Sequence, residues 1–323
     1  MNSFKEITTY INSDLENFEN LLVDITNSHN GVLNEILDYI FESKGKRIRP
    51  ILVYLIARLF SEPTKSTHNA ALLVEIIHTA TLLHDDVVDE AVLRRGKPTL
   101  NYKWDDKTAI LSGDFLFAKA MKIATDNEEY KLFDIITPAV MSLSLGELLQ
   151  MKYSKSFDID EDKYFEVIKY KTASLISVCC ESGAYTVNAT EKNILLCKEF
   201  GEILGYIFQI KDDVLDYVGN GTGKETGIDI KEKKITLPLI CAWKNMNEID
   251  RKKLISLWDS ADNDLDPVYS IIQIVIDNEG ISGCNKEMRK LKDKALGILN
   301  NFKDSKARSS LVYLLDYIIE RDK

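Results

Sequence analysis

The sequence predicts an all-α protein: a single domain over residues 1–323, folded as a helical bundle around a central cavity. Three observations carry that expectation. Six prolines and fifteen glycines in 323 residues leave long segments uninterrupted. Apolar residues recur at helical spacing along most of the chain. Residues 66–90 are apolar nearly all round (Ala70, Ala71, Leu72, Leu73, Val74, Ile76, Ile77, Ala80, Leu82, Leu83), which puts that helix in the middle of a bundle. Its tip is acidic, and a charged mouth on a buried helix marks where a cavity opens.

Taken in order, residues 3–27 read as one amphipathic helix through Ile7, Ile11, Leu15, Phe18, Leu21 and Leu22. A second helix runs from about Val32 towards Phe60, with a kink or break at Gly45-Lys46-Arg47-Ile48-Arg49-Pro50 because of the proline. Ser61 to Thr64 is a loop, and the apolar helix of 66–90 follows. Arg94-Arg95-Gly96-Lys97-Pro98 is a basic loop. Further helices are expected at about 103–125, 129–154, 160–187 and 191–218. Gly219 to Lys234 is polar and glycine-rich and holds Lys224, Lys231, Lys233 and Lys234. It is not a nucleotide-binding loop, since Gly223-Lys224 lacks both the upstream glycine and the following Ser or Thr. Residues 235–322 read as shorter amphipathic helices. No repeat, low-complexity tract or linker divides the chain.

Bulk properties exclude some functions. A net charge of −10 argues against nucleic-acid binding and means that an anionic substrate must be met by metal and clustered Lys and Arg. The longest apolar run, Ile51 to Phe60, is interrupted by Arg58 and is far too short for a membrane span. Five cysteines, odd in number and without CxxC spacing, read as reduced thiols of a cytoplasmic protein. The start, Met-Asn-Ser-Phe-Lys-Glu, has no apolar signal core.

The chemistry gathers in two places. In Leu82-Leu83-His84-Asp85-Asp86-Val87-Val88-Asp89-Glu90, a helix sets Asp85 and Asp89 one turn apart on one face, roughly 6 Å between side-chain bases. Like charges held so close need a reason, and oxygen-only ligands suit a hard cation, Mg²⁺ above all, often bridging to a substrate phosphate. Phe208-Gln209-Ile210-Lys211-Asp212-Asp213-Val214-Leu215-Asp216 repeats the pattern. Three basic segments accompany them: Lys46/Arg47/Arg49, Arg94/Arg95 and Lys224 to Lys234. That is enough positive charge to hold more than one magnesium-bound diphosphate.

In this order the residues resemble a family, the trans-prenyltransferases of the polyprenyl diphosphate synthase type. The resemblance runs over nearly the whole chain: Gly45 to Pro50, Ile77-His78-Thr79-Ala80, the first DDxxD, Arg94 to Pro98, Gly113-Asp114, Lys171-Thr172, Phe208-Gln209, the second DDxxD and Thr236-Leu237-Pro238-Leu239. It implies the isoprenoid-synthase bundle and a condensation of isopentenyl diphosphate with an allylic diphosphate, farnesyl or geranyl. It also implies two or three Mg²⁺ ions per site, held by Asp85, Asp89 and Asp212 with Asp86, Asp213 and Asp216 in support. Arg94, Lys171, Lys224 and Lys234 would then grip the allylic diphosphate, and Lys46, Arg49, His78 and Arg95 that of isopentenyl diphosphate. Thr172 and Gln209 would turn oxygens toward the developing cation, and Lys171 beside them would also serve the reacting centre. Arg47 and Lys97 are expected as solvated charges, His84 as an orienting neighbour, Glu147 and Gln150 as possible cavity residues, and Arg321 as a residue that helps close the site. Where the family has Gly before Lys-x-Thr this chain has Lys233, so the choice between Lys233 and Lys234 stays open.

Ala80 and Thr81 precede Asp85 by one turn, on the same face, and a small Ala80 leaves room for a growing tail. The first motif also lacks the two-residue insertion familiar in bacterial short-chain relatives. Both point to a long product, about thirty to fifty carbons with an octaprenyl type as centre, as in quinone side chains. The resemblance further implies a homodimer, with apolar stretches at 110–120 and 135–149 in support, and a transient membrane contact for product release. The alternatives are a short-chain (C15–C20) synthase, one subunit of a heteromeric synthase, a class I terpene cyclase and a simple metal buffer.

Overall fold

A computed structural model describes residues 3–26, 31–42, 45–154, 157–219, 226–261 and 265–321. It begins with α1 (Ser3–Tyr10), α2 (Asn12–Thr26), α3 (Gly31–Glu42), α4 (Ile48–Ala57) and α5 (Lys65–Val88). A small antiparallel hairpin follows, β1 (Leu93–Arg94) and β2 (Lys97–Pro98), then α6 (Leu100–Lys103), α7 (Asp106–Asp126) and α8 (Tyr130–Tyr153). Next come α9 (Glu161–Ile168), one π-helical turn (Lys169–Ala173), α10 (Ser174–Tyr185) and α11 (Glu191–Val218). The chain ends with α12 (Ile228–Lys231), α13 (Leu237–Asn245), α14 (Glu248–Ser260), α15 (Leu265–Asp277), α16 (Gly280–Leu299) and α17 (Lys306–Glu320). The architecture is all-α, as the periodicity predicts.

The residues sort into two compact units: 1–140, 178–198 and 304–311 in the first, and 141–177, 199–303 and 312–323 in the second. In the first unit α5 is the central helix. Leu73, Val74 and Ile76 are fully enclosed, and all of α4 from Ile51 to Ala57 is buried as well. The start of α5 is set by a reciprocal cap. The Thr64 hydroxyl accepts from the Thr67 N–H at 3.3 Å, and the Thr67 hydroxyl accepts from the Thr64 N–H at 3.0 Å. Such a box satisfies two amides that the first helical turn would otherwise leave open. The Thr64 hydroxyl also donates to the Thr186 carbonyl at 3.1 Å, tying the cap to the end of α10.

Several local expectations are corrected. The helix of 3–27 is two, because the ladder stretches at Ile11, whose N–H reaches the Ile7 carbonyl at 3.3 Å. Pro50 does not kink a helix. The break lies ahead of it, and Pro50 sits in the first turn of α4, where its missing N–H leaves no bond unmade. The basic loop is the β1–β2 hairpin, with Arg95 (φ 53°) and Gly96 (φ 77°) at its corners, the two positive φ values that a tight right-twisting hairpin requires. The run Ile51–Phe60 lies mostly in α4, and the helix of greatest membrane-spanning length and composition among the described residues is α8. By length and composition alone, α8 could cross a membrane.

In the second unit, α13 to α16 enclose a core of Leu239, Leu254, Trp258, Val268, Ile271 and Val275, with Phe157 packed edge-on against Trp258 at 5.2 Å. The exposed part of α8 here carries Met141, Leu145, Leu148 and Met151 as an apolar stripe.

One contact in the first unit leaves no slack. A Cβ placed on Gly183 of α10 would lie 2.5 Å from the Val53 carbonyl oxygen of α4. Gly183→Ala is therefore expected to destabilise the protein by about 1–3 kcal/mol, read as a lower urea midpoint with an unchanged slope.

Candidate active site

In the first unit the acidic helix end and two basic segments meet. Asp85 and Asp86 close α5, and Asp89 ends it with its N–H on the Asp85 carbonyl at 2.8 Å. Asp89 is exposed and Asp85 partly so, whereas Asp86 is only 3% exposed. The Arg94 Nε on β1 donates to Asp86 Oδ1 at 2.6 Å. Burial pushes the Asp86 carboxyl up, and the Arg94 guanidinium offsets part of that rise. A cavity of about 90 Å³ opens beside this pair, lined among others by Tyr39, Arg47, Glu75, His78, Arg94 and Arg95. Burial, together with the charges of Arg49, Arg95, Arg94 and Arg47, holds the His78 imidazole well below its usual range. A neutral ring offers one N–H and one lone pair.

Lys46 is exposed and Arg49 partly buried, on the segment that enters α4. Gly45 belongs to the same segment, and a Cβ there would lie 2.6 Å from Arg95 Nη1, so glycine is what admits the guanidinium. Arg47 is not the solvated charge the sequence suggests. It is bonded to Glu75 at 2.8 Å and to Glu19 at 3.0 Å, and its side chain is 10% exposed. Lys97 pairs with Glu42 at 3.1 Å across the surface. His84 shares its ring Nε2 with the Ile110 carbonyl at 3.1 Å, holding α5 to α7. Ala80 is fully buried, and the Thr81 hydroxyl donates to the His78 carbonyl at 2.8 Å. Neither lines the 90 Å³ cavity.

The second unit has its own cavity, about 140 Å³, lined among others by Gln150, Lys171, Thr172, Gln209, Asp213 and Lys234. Lys171 and Thr172 lie on the π-helical turn, an irregularity that recurs at functional sites. Lys171 is paired with Glu147, and its ammonium also reaches Gln150 Oε1 at 3.4 Å. Thr172 Oγ1 donates to Gln209 Oε1 at 2.6 Å, and Gln209 Nε2 donates to Asp213 Oδ1 at 2.9 Å. Asp213 is 2% exposed; burial drives its carboxyl up to about 7, while the bonds donated by Tyr164 and Gln209 favour its ionised form. Both oxygens of Asp216 accept backbone N–H bonds, from Ile228 and Asp229, each at 3.1 Å. Asp212 is more open and is paired with Arg321 at 2.7 Å. That arginine also stacks over the Phe208 ring, 4.1 Å from its centre.

Of the two adjacent lysines, Lys234 lines the cavity and pairs with Glu232, whereas Lys233, at φ 57°, donates to the Trp258 carbonyl. Lys224 lies outside the described residues. Sequence reasoning passed over Tyr164 and Asp229, which also line this cavity. Asp229 carried a usable signal, an acid inside a lysine-rich segment. Tyr164 carried none, since one aromatic on an amphipathic helix reads as core.

Among the described residues, no three His, Cys, Asp or Glu side chains converge as a metal cage. Mg²⁺ takes one or two carboxylates and completes its shell with water and substrate phosphate. Asp85, Asp89 and Asp212 are the accessible hard oxygen donors for it.

An all-helical fold with two acidic helix ends, each beside clustered cations, defines a class of diphosphate-handling enzyme. Residues 30–275 match the polyprenyl synthetase family. The chain is 33% identical over 320 residues to component 2 of heptaprenyl diphosphate synthase from Bacillus subtilis, covering 98% of this chain and 91% of that one. It is 30% identical to octaprenyl diphosphate synthase from Escherichia coli, covering 99% and 100%. A crystal structure of a polyprenyl synthase from Caulobacter crescentus, complexed with calcium and isoprenyl diphosphate, superposes with a TM-score of 0.93 at 29% identity, covering 99% and 98%. The chain belongs to the polyprenyl synthetase family. It is a prenyltransferase of the trans-polyprenyl diphosphate synthase type, and the cyclase reading is set aside.

The buried position of Arg47 has a measurable consequence. Arg47→Ala would strand Glu75 without its partner, and a loss of about 3–5 kcal/mol of stability is expected, seen as a lower melting temperature of the unliganded protein.

Proposed function

We propose that the protein extends an allylic diphosphate with isopentenyl diphosphate in successive head-to-tail steps, yielding an all-trans polyprenyl diphosphate of octaprenyl type for quinone side chains. The observation that carries this reading is that each acidic helix end stands against a cation-lined cavity, Asp86 lining the one in the first unit and Asp213 the one in the second. Together the cations exceed what one diphosphate needs, as a condensation of two diphosphates requires.

Asp85, Asp89 and Asp212 would hold the two or three Mg²⁺ ions, which would supply Lewis-acid stabilisation of the leaving diphosphate. Arg94, Lys171, Lys224 and Lys234 grip the allylic diphosphate. Lys46, Arg49, His78 and Arg95 bind that of isopentenyl diphosphate, with the neutral His78 ring donating one hydrogen bond. Departure of the allylic diphosphate leaves a cation, which the double bond of isopentenyl diphosphate attacks before a proton is lost. Thr172 and Gln209 face that cation with oxygen lone pairs, an electrostatic stabilisation fixed before the charge develops.

The apolar side chains exposed on α7 (Ile110, Leu111, Met121) and on α8 (Met141, Leu145, Leu148, Met151) suit a second copy, and the protein acts as a homodimer. A second reading, the catalytic subunit of a heteromeric synthase, is favoured by the Bacillus subtilis relative, whose name makes it one component of such an enzyme.

Incubation of the purified chain with Mg²⁺, farnesyl diphosphate and labelled isopentenyl diphosphate is expected to give a ladder of products ending near forty carbons. No incorporation by the chain alone would favour the heteromeric reading, and arrest at fifteen to twenty carbons would overturn the long-chain one. In the same assay Ala80→Phe is expected to shorten the final product by several isoprene units: Ala80 lines neither described cavity, and the growing tail is proposed to pass it, where a ring would leave no room.

A further inference from the structure

We infer that Tyr164 is a positioning residue for the condensation: acting through Asp213, its hydroxyl sets the direction in which Gln209 and Thr172 present their hydrogen-bonding atoms. The inference rests on the reading that Thr172 and Gln209 face the allylic cation.

Tyr164 lies on α9, outside both aspartate clusters and outside the Lys171-Thr172 pair, and is 6% exposed. Its Oη donates to Asp213 Oδ2 at 2.6 Å. A phenol has one proton to give, and here the acceptor is Asp213. Asp213 Oδ1 takes the other donor, Gln209 Nε2, at 2.9 Å. With its NH₂ committed to the carboxylate, Gln209 must turn Oε1 the other way, toward Thr172, and the amide orientation follows from the network. Thr172 Oγ1 then gives its single proton to Gln209 Oε1 at 2.6 Å. What Thr172 offers in any other direction is lone-pair density.

The polarity of this chain matters for a cation. Thr172 with its proton spent presents a partial negative charge, which attracts developing positive charge. If Gln209 flipped, its NH₂ would face Thr172 and the threonine proton would be free to point outward, toward the cation. Only the first arrangement stabilises the transition state. Tyr164 thus makes Asp213 an anchor for the chain, with each carboxylate oxygen taking one donor, and this is the role of Asp213 instead of metal ligation.

The test uses the full-length protein with Mg²⁺, farnesyl diphosphate and isopentenyl diphosphate. Tyr164→Phe keeps the ring and removes one hydroxyl. Its kcat is expected to fall on the order of 10- to 100-fold, while KM for both diphosphates and the Mg²⁺ concentration for half-maximal rate stay within about twofold. In a Thr172→Val background, the same substitution is expected to lower kcat by no more than about threefold, since the group it orients is gone. An unchanged kcat for Tyr164→Phe would overturn the inference, as would a loss carried by KM or by the Mg²⁺ requirement. The full penalty repeated in the Thr172→Val background would overturn it equally. A Thr172→Val enzyme with wild-type kcat would overturn the underlying reading of Thr172, and the inference with it.

Should Tyr164→Phe fail to give a cooperative melting transition, Asp213→Asn, an isostere, carries the same test. The inference expects a lower kcat with an unchanged Mg²⁺ requirement. A Mg²⁺ requirement raised about tenfold or more would make Asp213 a metal ligand and overturn it.

Discussion

In each acidic motif the middle aspartate is the buried one. Asp86 is 3% exposed and Asp213 2%, and a carboxylate at that depth is tolerated only when donors meet it. Asp86 is met by Arg94, and Asp213 by Tyr164 and Gln209. These bonds do more than neutralise charge. The first ties the tip of α5 to the β1–β2 hairpin, and the second ties α11 to α9. Because a helix turns by about 100° per residue, fixing the middle aspartate inward leaves its neighbours facing elsewhere, available for a cation.

The same economy of placement recurs among the basic residues. Arg47 and Arg95 both line the first cavity, yet Arg47 is spent on Glu75 and Glu19. Burial first, and then the nearby positive charges, hold His78 well below its usual range and keep its ring neutral. In the second unit Lys233 turns to the Trp258 carbonyl and Lys234 to the cavity, although both are lysines on consecutive residues. A left-handed backbone at Lys233 separates their directions.

Much of the architecture was legible beforehand. The helix expected at 191–218 is found with those limits, and the helix expected at 66–90 is α5 within two residues. Both have long apolar periods and carry an aspartate pair in their last two turns. The errors lie where the deciding signal is not periodic. The π-helical turn at Lys169–Ala173 interrupts a segment that reads as one helix of 160–187, because its extra residue leaves hydrophobic spacing almost intact. The hairpin at Arg95-Gly96 reads as a loop in the sequence because two-residue strands hold too few positions to show alternation. Arg47 was read as solvated because its partners, Glu19 and Glu75, each lie 28 residues away in sequence.

What the sequence determined by itself was the helical class, the family and the chemistry of the two acidic ends, since periodicity, residue type and motif order are local or one-dimensional properties. What only the tertiary structure decided was which member of each cluster does what. It buried the middle aspartates, separated Lys233 from Lys234, and set Tyr164 on Asp213 across 49 residues of chain. Those assignments depend on hydrogen-bond partners brought together by packing, and a hydrogen bond is made or lost within a few tenths of an ångström, a scale that no residue pattern encodes.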